Sequence, residues 1–295
     1  MQDIKQITIT GPAHAALTTA DHSRDSVGLR YVYPVVSRRA GGVSVGINLN
    51  VNNACNWRCI YCQVPGLVRG AAAPVDLPLL KQELTGFMKD FLNGDFLAER
   101  VAPEARRLND IALSGNGEPT SAKEFEQVVD LIGEVRRQTG VPEAVKTVLI
   151  TNGSLMQHKG VLSGVRKLAA LNGEVWFKLD RATEAGLRRI NNARIGTARV
   201  RANLAKAAQL CPTWIQTCMV AIDGEGADAA EQAAYLDFLR GCVAEPIPLQ
   251  GVLLYGLARQ SFQPEAPRLT PLPAAWLEAF AQRIRALGLA VEVTP

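Results

Sequence analysis

Val43-Ser44-Val45-Gly46-Ile47-Asn48-Leu49-Asn50 alternates small and branched residues and reads as a β-strand. Downstream, the period of the apolar residues switches repeatedly between two and 3.6. Leu79, Leu80, Leu84, Phe87, Met88 and Phe91 have helical spacing, which predicts a helix over 77–92. Asp110–Ser114 reads as a short strand, and Phe125, Val128, Val129, Leu131, Ile132 and Val135 mark the buried side of a helix over 121–139. The same reading predicts strands over 145–151, 175–180, 214–222, 248–255 and 290–293. It predicts helices over 160–171, 183–191, 198–210, 228–243 and 274–287. Strands alternating with long helices mean βαβ units and a mostly parallel sheet. Six such units fit between residues 43 and 287, two fewer than a closed eight-unit barrel needs. The fold class is therefore α/β, a partial (βα)6 TIM-like barrel, with a flat doubly wound sheet as the alternative. Residues 1–41 mix Gly, Pro, Ser, Thr and charges and read as an irregular N-terminal extension. Residues 42–295 read as a single barrel domain. The stretch from Gln260 to Pro273, with four prolines, is long for a connection and is a candidate lid.

The chain has 295 residues, 47% apolar and 20% charged, enough for a core and unlike a disordered chain, a collagen or a disulfide scaffold. Thirty-two Lys+Arg against 28 Asp+Glu leave a net charge of +4, with basic pairs such as Arg38-Arg39 and Arg136-Arg137 scattered along the chain. That balance permits a polyanionic partner without requiring one. No apolar run reaches the length of a membrane span, so no membrane association is expected. Asp3, Lys5, Asp21, Arg24 and Asp25 interrupt the first thirty residues where a secretory signal would need an apolar core, so a cytoplasmic location is expected. Of the six cysteines, three fall within eight residues, which in a cytosolic chain points to metal or chemistry rather than disulfides.

These three form Cys55-Asn56-Trp57-Arg58-Cys59-Ile60-Tyr61-Cys62, directly after the first barrel strand. Ligands of parallel α/β folds sit at the carboxyl ends of strands, so the loop is where a site belongs. One reading is a buried helical stripe, which Asn52, Asn53 and Asn56 oppose. Another is zinc in a structural or interaction protein. Zinc wants four ligands, and His14, His22 and His158 stand at no recognisable spacing. Three thiolates suit an iron–sulfur cube better, with one iron left open for a ligand.

The triad, with an aromatic residue just before its last cysteine, resembles the signature of the radical S-adenosylmethionine (SAM) superfamily. The resemblance implies a [4Fe–4S] cluster held by Cys55, Cys59 and Cys62. In that family the open iron chelates the methionine moiety of SAM. One electron then cleaves SAM to methionine and a 5′-deoxyadenosyl radical, which abstracts hydrogen from a substrate. Ser114-Gly115-Asn116-Gly117-Glu118-Pro119-Thr120 resembles the family's Gly-Gly-Glu-Pro-like motif. Glycines allow close backbone approach and a carboxylate can accept hydrogen bonds from an ammonium. Gly115, Asn116, Gly117 and Glu118 are therefore expected at SAM. An ordinary turn with Thr120 as helix cap is the plainer reading. Asn152, in Thr151-Asn152-Gly153, is placed by the resemblance at the ribose or carboxylate of SAM, and Tyr61 near the adenine.

Strand parity puts Trp176, Lys178 and Asp180 on one face and Val175, Phe177 and Leu179 on the other. The polar set is expected to face the barrel interior, where Lys178 and Asp180 meet either SAM or each other. The same parity pairs Gln216 with Cys218, without deciding which way they face.

Within the superfamily, Pro34 to Arg39, Gly46 to Leu49, the triad with Gln63, and Ile190-Asn191 resemble bacterial iron–sulfur oxidoreductases related to wyosine-forming tRNA-modifying enzymes. This resemblance covers roughly residues 31–225. Wyosine-forming enzymes carry upstream cysteines for a second cluster, and this chain has none before Cys55. Cys211, Cys218 and Cys242 lack the close spacing of an auxiliary cluster and read as ordinary thiols. The resemblance implies an enzyme with a one-electron donor such as flavodoxin or ferredoxin. The substrate is not named by the sequence; nucleic acid or nucleotide competes with a peptide or small metabolite.

Overall fold

In the computed structural model, which describes residue 17, residues 26–36 and residues 41–295, eight strands hydrogen-bond in the order in which the chain makes them. They are β1 (Val32–Val36), β2 (Val43–Ile47), β3 (Leu108–Leu113), β4 (Lys146–Thr151), β5 (Gly173–Lys178), β6 (Thr213–Cys218), β7 (Leu249–Tyr255) and β8 (Val291–Thr294). β1 runs antiparallel to β2, and every later pairing is parallel. A doubly wound sheet reverses its strand order at a switch point. This order never reverses, so right-handed crossovers place the helices on one face and the sheet curls about the other. The six βα units are present, the fold is a partial barrel, and the flat-sheet alternative is set aside.

The helices of eight or more residues are α1 (Leu77–Asn93), α2 (Phe125–Thr139), α3 (Lys159–Ala169), α4 (Glu184–Asn191), α5 (Thr197–Leu210), α6 (Ala229–Ala244) and α7 (Ala274–Arg285). Their starts are written locally. Asp76, Thr183 and Asp228 accept hydrogen bonds from Leu79, Gly186 and Glu231 N–H, and such caps contribute about 1 kcal/mol each. Phe125, Val128, Val129, Ile132 and Val135 of α2 are buried, as the helical spacing requires. In β5, Val175 and Phe177 pack outward under the helices while Trp176 and Lys178 face the lumen. Among the described residues no helix is long and apolar enough to cross a membrane.

Two expectations change. Part of the segment read as an irregular extension, Val32–Val36, is the edge strand β1. Pro34 is tolerated there because an edge strand need not donate on both sides. What holds it is distant in sequence: the buried Glu83 carboxylate of α1 accepts the N–H groups of Arg30 (2.9 Å) and Tyr31 (2.8 Å). Residues 1–16, 18–25 and 37–40, including His14, His22, Arg38 and Arg39, lie outside the described residues. Likewise, the proline-rich stretch read as a lid is bonded down. Leu269–Thr270 pairs with Ala221–Ile222, and Ser261 and Gln263 are buried.

Candidate active site

The carboxyl ends of the strands enclose a cavity of about 380 Å³. Cys55, Cys59 and Cys62 line it, together with Tyr61, Gly115, Asn116, Gly117, Glu118, Asn152 and Lys178. Segments more than a hundred residues apart thus converge on one space, as the sequence motifs require.

A net of asparagines shapes the cysteine loop. Asn48 Oδ1 accepts from the N–H groups of Asn50 (3.1 Å) and Asn116 (3.0 Å), tying the end of β2 to the turn after β3. Asn50 Nδ2 donates to the Ala54 carbonyl (2.8 Å), and Asn116 Nδ2 to Asn53 Oδ1 (2.7 Å). Asn152 Nδ2 donates to Asn56 Oδ1 (2.7 Å), so the third motif grips the loop between its first two cysteines. Asn116 and Asn152, expected at SAM, thus turn their side-chain amides to the loop. Within the loop Asn52, Asn53 and Asn56 read only as helix breakers, and the density of asparagines from 48 to 56 is the signal for the net.

The glycines serve the same closeness. A Cβ on Gly117 would lie 2.1 Å from the Ala54 carbonyl oxygen, and one on Gly115, whose φ is +134°, 2.5 Å from Asn48 Oδ1. The close approach they permit here is to the segment entering the cysteine loop. Glu118 is 2% exposed. Its Oε1 accepts from Thr120 N–H (3.1 Å), Thr120 Oγ1 (2.6 Å) and Thr151 Oγ1 (2.6 Å), and its Oε2 from Asn152 N–H (2.7 Å). Glu118 itself, rather than Thr120, caps the short 3-10 turn Pro119–Ser121. Burial pushes its carboxyl above the ordinary range, opposed by these four donors. Oε2 carries one bond, which leaves it capacity for a further donor.

Lys178 and Asp180 meet through Tyr61. Lys178 Nζ donates to the Tyr61 hydroxyl (2.7 Å), which donates to Asp180 Oδ2; the direct Lys178–Asp180 separation is 3.9 Å. The ammonium also reaches Tyr255 Oη (3.2 Å). Asp180, fully buried, further accepts from Asn191 Nδ2 (2.5 Å) and Cys218 N–H (2.8 Å). Burial alone would depress the Lys178 ammonium, but Asp180, joined by Tyr255, Cys59 and Cys218, outweighs burial and holds its pKa well above the ordinary value. Of the expected pair, then, Lys178 lines the cavity while Asp180 stands behind it. Tyr61 lines the cavity too, with its hydroxyl committed to this relay. Gln216 and Cys218 also line the cavity, which settles their facing. Tyr33, Trp176 and Tyr255 complete the apolar wall. Cys211 and Cys242 are buried in the hydrophobic core.

The cysteines are half-buried free thiols. Burial pushes Cys55 up to about 12 and Cys59 up to about 11, so loading metal must displace protons from them. Trp57 N–H points at Cys55 Sγ (3.4 Å) and Asn191 Nδ2 at Cys59 Sγ (3.2 Å), the type of sulfur hydrogen bond that tunes a cluster. Among the described residues no three His, Cys, Asp or Glu side chains are drawn together around a single ion. A cube takes each thiolate on a different iron and needs the sulfurs further apart. The donor set and its open cavity fit such a cluster.

The proline-rich segment is a strap on this loop. Phe262 N–H donates to the Cys62 carbonyl (3.0 Å), Ser261 Oγ to the Ile60 carbonyl (2.7 Å), and Gln263 Nε2 to the Val64 carbonyl (3.2 Å). Arg58 and Glu265 form a two-pronged ion pair at 2.8 and 2.7 Å. An unmet buried hydrogen bond costs about 1–3 kcal/mol. Ser261→Ala is therefore expected to speed iron loss to a chelator by roughly tenfold, and to lower the unfolding free energy of the cluster-free protein by about 1–3 kcal/mol. An unchanged rate of iron loss would mean the strap does not hold the loop.

A family model for the radical SAM superfamily matches residues 49–235. Among curated proteins, the GTPase Obg of Brachyspira hyodysenteriae is 28% identical over 123 residues, which cover 42% of this chain and 15% of that protein. A UPF0026 protein of Synechocystis sp. is 27% identical over 162 residues, 54% of this chain and 52% of that protein. The chain thus spans about half the length of one curated relative and less of the other. The crystal structure of Streptococcus suis SuiB bound to S-adenosylmethionine aligns with a TM-score of 0.53 and 11% identity, over 86% of this chain and 47% of that one. That likeness is one of fold.

Proposed function

This chain belongs to the radical SAM superfamily, and from that premise we propose that Cys55, Cys59 and Cys62 hold its [4Fe–4S] cluster and that SAM binds in the cavity beside them. When bound, the cluster supplies the electron that cleaves SAM reductively to methionine and a 5′-deoxyadenosyl radical. The rest is the work of this chain's own residues. Glu118, through the free capacity of Oε2, accepts a hydrogen bond from the ammonium of the methionine moiety. Asn116 and Asn152 hold the cysteine loop at the right distance for that contact. The Lys178 ammonium, kept charged by Asp180, offers a cation to the SAM carboxylate or to a substrate anion. Trp176, Tyr33 and Tyr255 exclude water from the lumen.

The observation that carries this reading is the convergence of the three cysteines, Glu118 and Asn152 on one cavity. The substrate reading is a nucleotide or nucleic acid. It is supported by the net charge of +4 and by the resemblance to iron–sulfur oxidoreductases related to tRNA-modifying enzymes. A peptide or small metabolite is the other class.

The test is SAM binding by reconstituted protein, followed by calorimetry, with Glu118→Gln as the variant. A charge-assisted hydrogen bond contributes about 1.5–3 kcal/mol, so affinity is expected to fall by roughly tenfold or more. Unchanged affinity would show that Glu118 serves only the turn it caps.

A further inference from the structure

Outside the barrel, behind the Asn56-Trp57 segment of the cysteine loop, lies a groove of about 740 Å³. Arg69, Arg194 and Arg199 line it, and among the described residues no Asp or Glu does. Arg69 is fixed by the carbonyls of Asn56 (2.8 Å) and Asn192 (2.5 Å), so its charge sits where the two walls meet. Arg194 and Arg199 are exposed, and neither is ion-paired among the described residues. The groove thus offers three positive charges with no carboxylate among its described lining residues; Glu184 lies beside Gly196 and pairs with Arg188.

Its relation to the cavity narrows what could bind. Among the described residues Trp57, 5% exposed, alone lines both. A molecule in the groove faces the cysteines across a single indole, and its atoms are walled off from the chemistry in the cavity. Such a molecule is badly placed to lose a hydrogen atom there. It is well placed to deliver an electron, which needs only a short path through protein. The groove continues past Asn56, Arg69 and Leu155 into a second hollow of about 640 Å³, where Lys123 and His158 are joined by Glu126. A carboxylate there interrupts the positive run. A compact acidic patch matches three clustered arginines better than a long phosphate strand does.

We propose that this arginine groove is the docking surface for an acidic one-electron carrier protein, which reduces the cluster across Trp57. The inference rests on the assignment of the cluster to Cys55, Cys59 and Cys62. The carrier gives up one electron and leaves one unit more oxidised; the cluster gains that electron. Complementary charge raises the encounter rate and makes it fall with salt.

The experiment uses the double variant Arg194→Glu, Arg199→Glu and a bacterial flavodoxin as probe. Calorimetry at low salt measures flavodoxin binding to the cluster-free and the cluster-loaded chain. Stopped-flow absorbance measures cluster reduction by flavodoxin hydroquinone and, separately, by dithionite. The expected result is binding to both forms of the unmodified chain, weakened at least about tenfold in the variant by the charge reversals. Reduction by flavodoxin slows in parallel, while dithionite reduction, iron content and thermal unfolding stay unchanged. Flavodoxin binding and salt dependence equal in both chains would overturn the proposal. So would loss of a bound 12-nucleotide RNA in the variant with flavodoxin binding intact, which would make the groove a nucleic-acid site. If no cluster assembles at all, the functional reading fails, and binding to the cluster-free chain still decides the docking surface.

Discussion

Replacing any one of Cys55, Cys59 or Cys62 by alanine is expected to abolish stable iron binding and the brown colour of anaerobically reconstituted protein. A [4Fe–4S] cube ordinarily takes four thiolates. The cysteine loop offers three, with Cys218 a further thiol in the cavity wall, and with two loop thiolates left the cube loses a second protein anchor and lies open to oxidation. The two cysteines away from the cavity provide the contrast. Cys211 and Cys242 are buried in the core, where burial pushes Cys211 up to about 12 and Cys242 up to about 11. They are protonated and apolar in surroundings, so alanine there should leave iron content unchanged. Iron and sulfide analysis of the purified variants checks this. A Cys211→Ala protein that loses as much iron as Cys59→Ala would end the single-cluster assignment.

Asp180→Ala should be the most damaging single change to stability away from the cysteines. Asp180 is fully buried and takes hydrogen bonds from Tyr61, Asn191 and Cys218, with the Lys178 ammonium 3.9 Å away. Lys178 keeps only 16% of its side chain exposed. Removing one member of a buried pair costs about 3–5 kcal/mol, because the other charge is left without compensation. That is a large share of the roughly 5–15 kcal/mol that holds a domain folded. Urea unfolding of the cluster-free protein measures it. Adding Lys178→Met to Asp180→Ala should recover much of the loss, since no orphaned charge remains. An alanine variant within about 1 kcal/mol of the starting protein would mean that Lys178 finds solvent or another partner.

The fold was legible because its elements are local. The six βα units show as alternating periods, and their capping residues Asp76, Thr183 and Asp228 stand where the helices begin. β1 was not legible: its anchor is Glu83, more than fifty residues away, and Pro34 argues against a strand on local grounds. Among the cavity-lining residues, the Gly115–Glu118 turn, Asn152 and Tyr61 followed from the resemblance to the radical SAM superfamily, and Trp176 and Lys178 from strand parity. What parity misses is depth. Asp180 lies two residues past the end of β5, where the chain has turned, so its carboxylate goes behind Tyr61 rather than into the lumen. The strap was misread as a lid for a related reason. Its prolines mark a segment without regular structure, but nothing local shows that Ser261 and Gln263 donate to carbonyls of the cysteine loop two hundred residues earlier.

The central claim, that this chain joins its cysteine triad and its Glu118 turn into a SAM-cleaving site, is tested most directly by one anaerobic assay. Reconstituted protein is mixed with SAM and a strong reductant, and 5′-deoxyadenosine is measured chromatographically. The account predicts slow formation of 5′-deoxyadenosine and methionine that depends on Cys55, Cys59 and Cys62. Full cluster occupancy and measurable SAM binding, with no 5′-deoxyadenosine under any reductant, would contradict it.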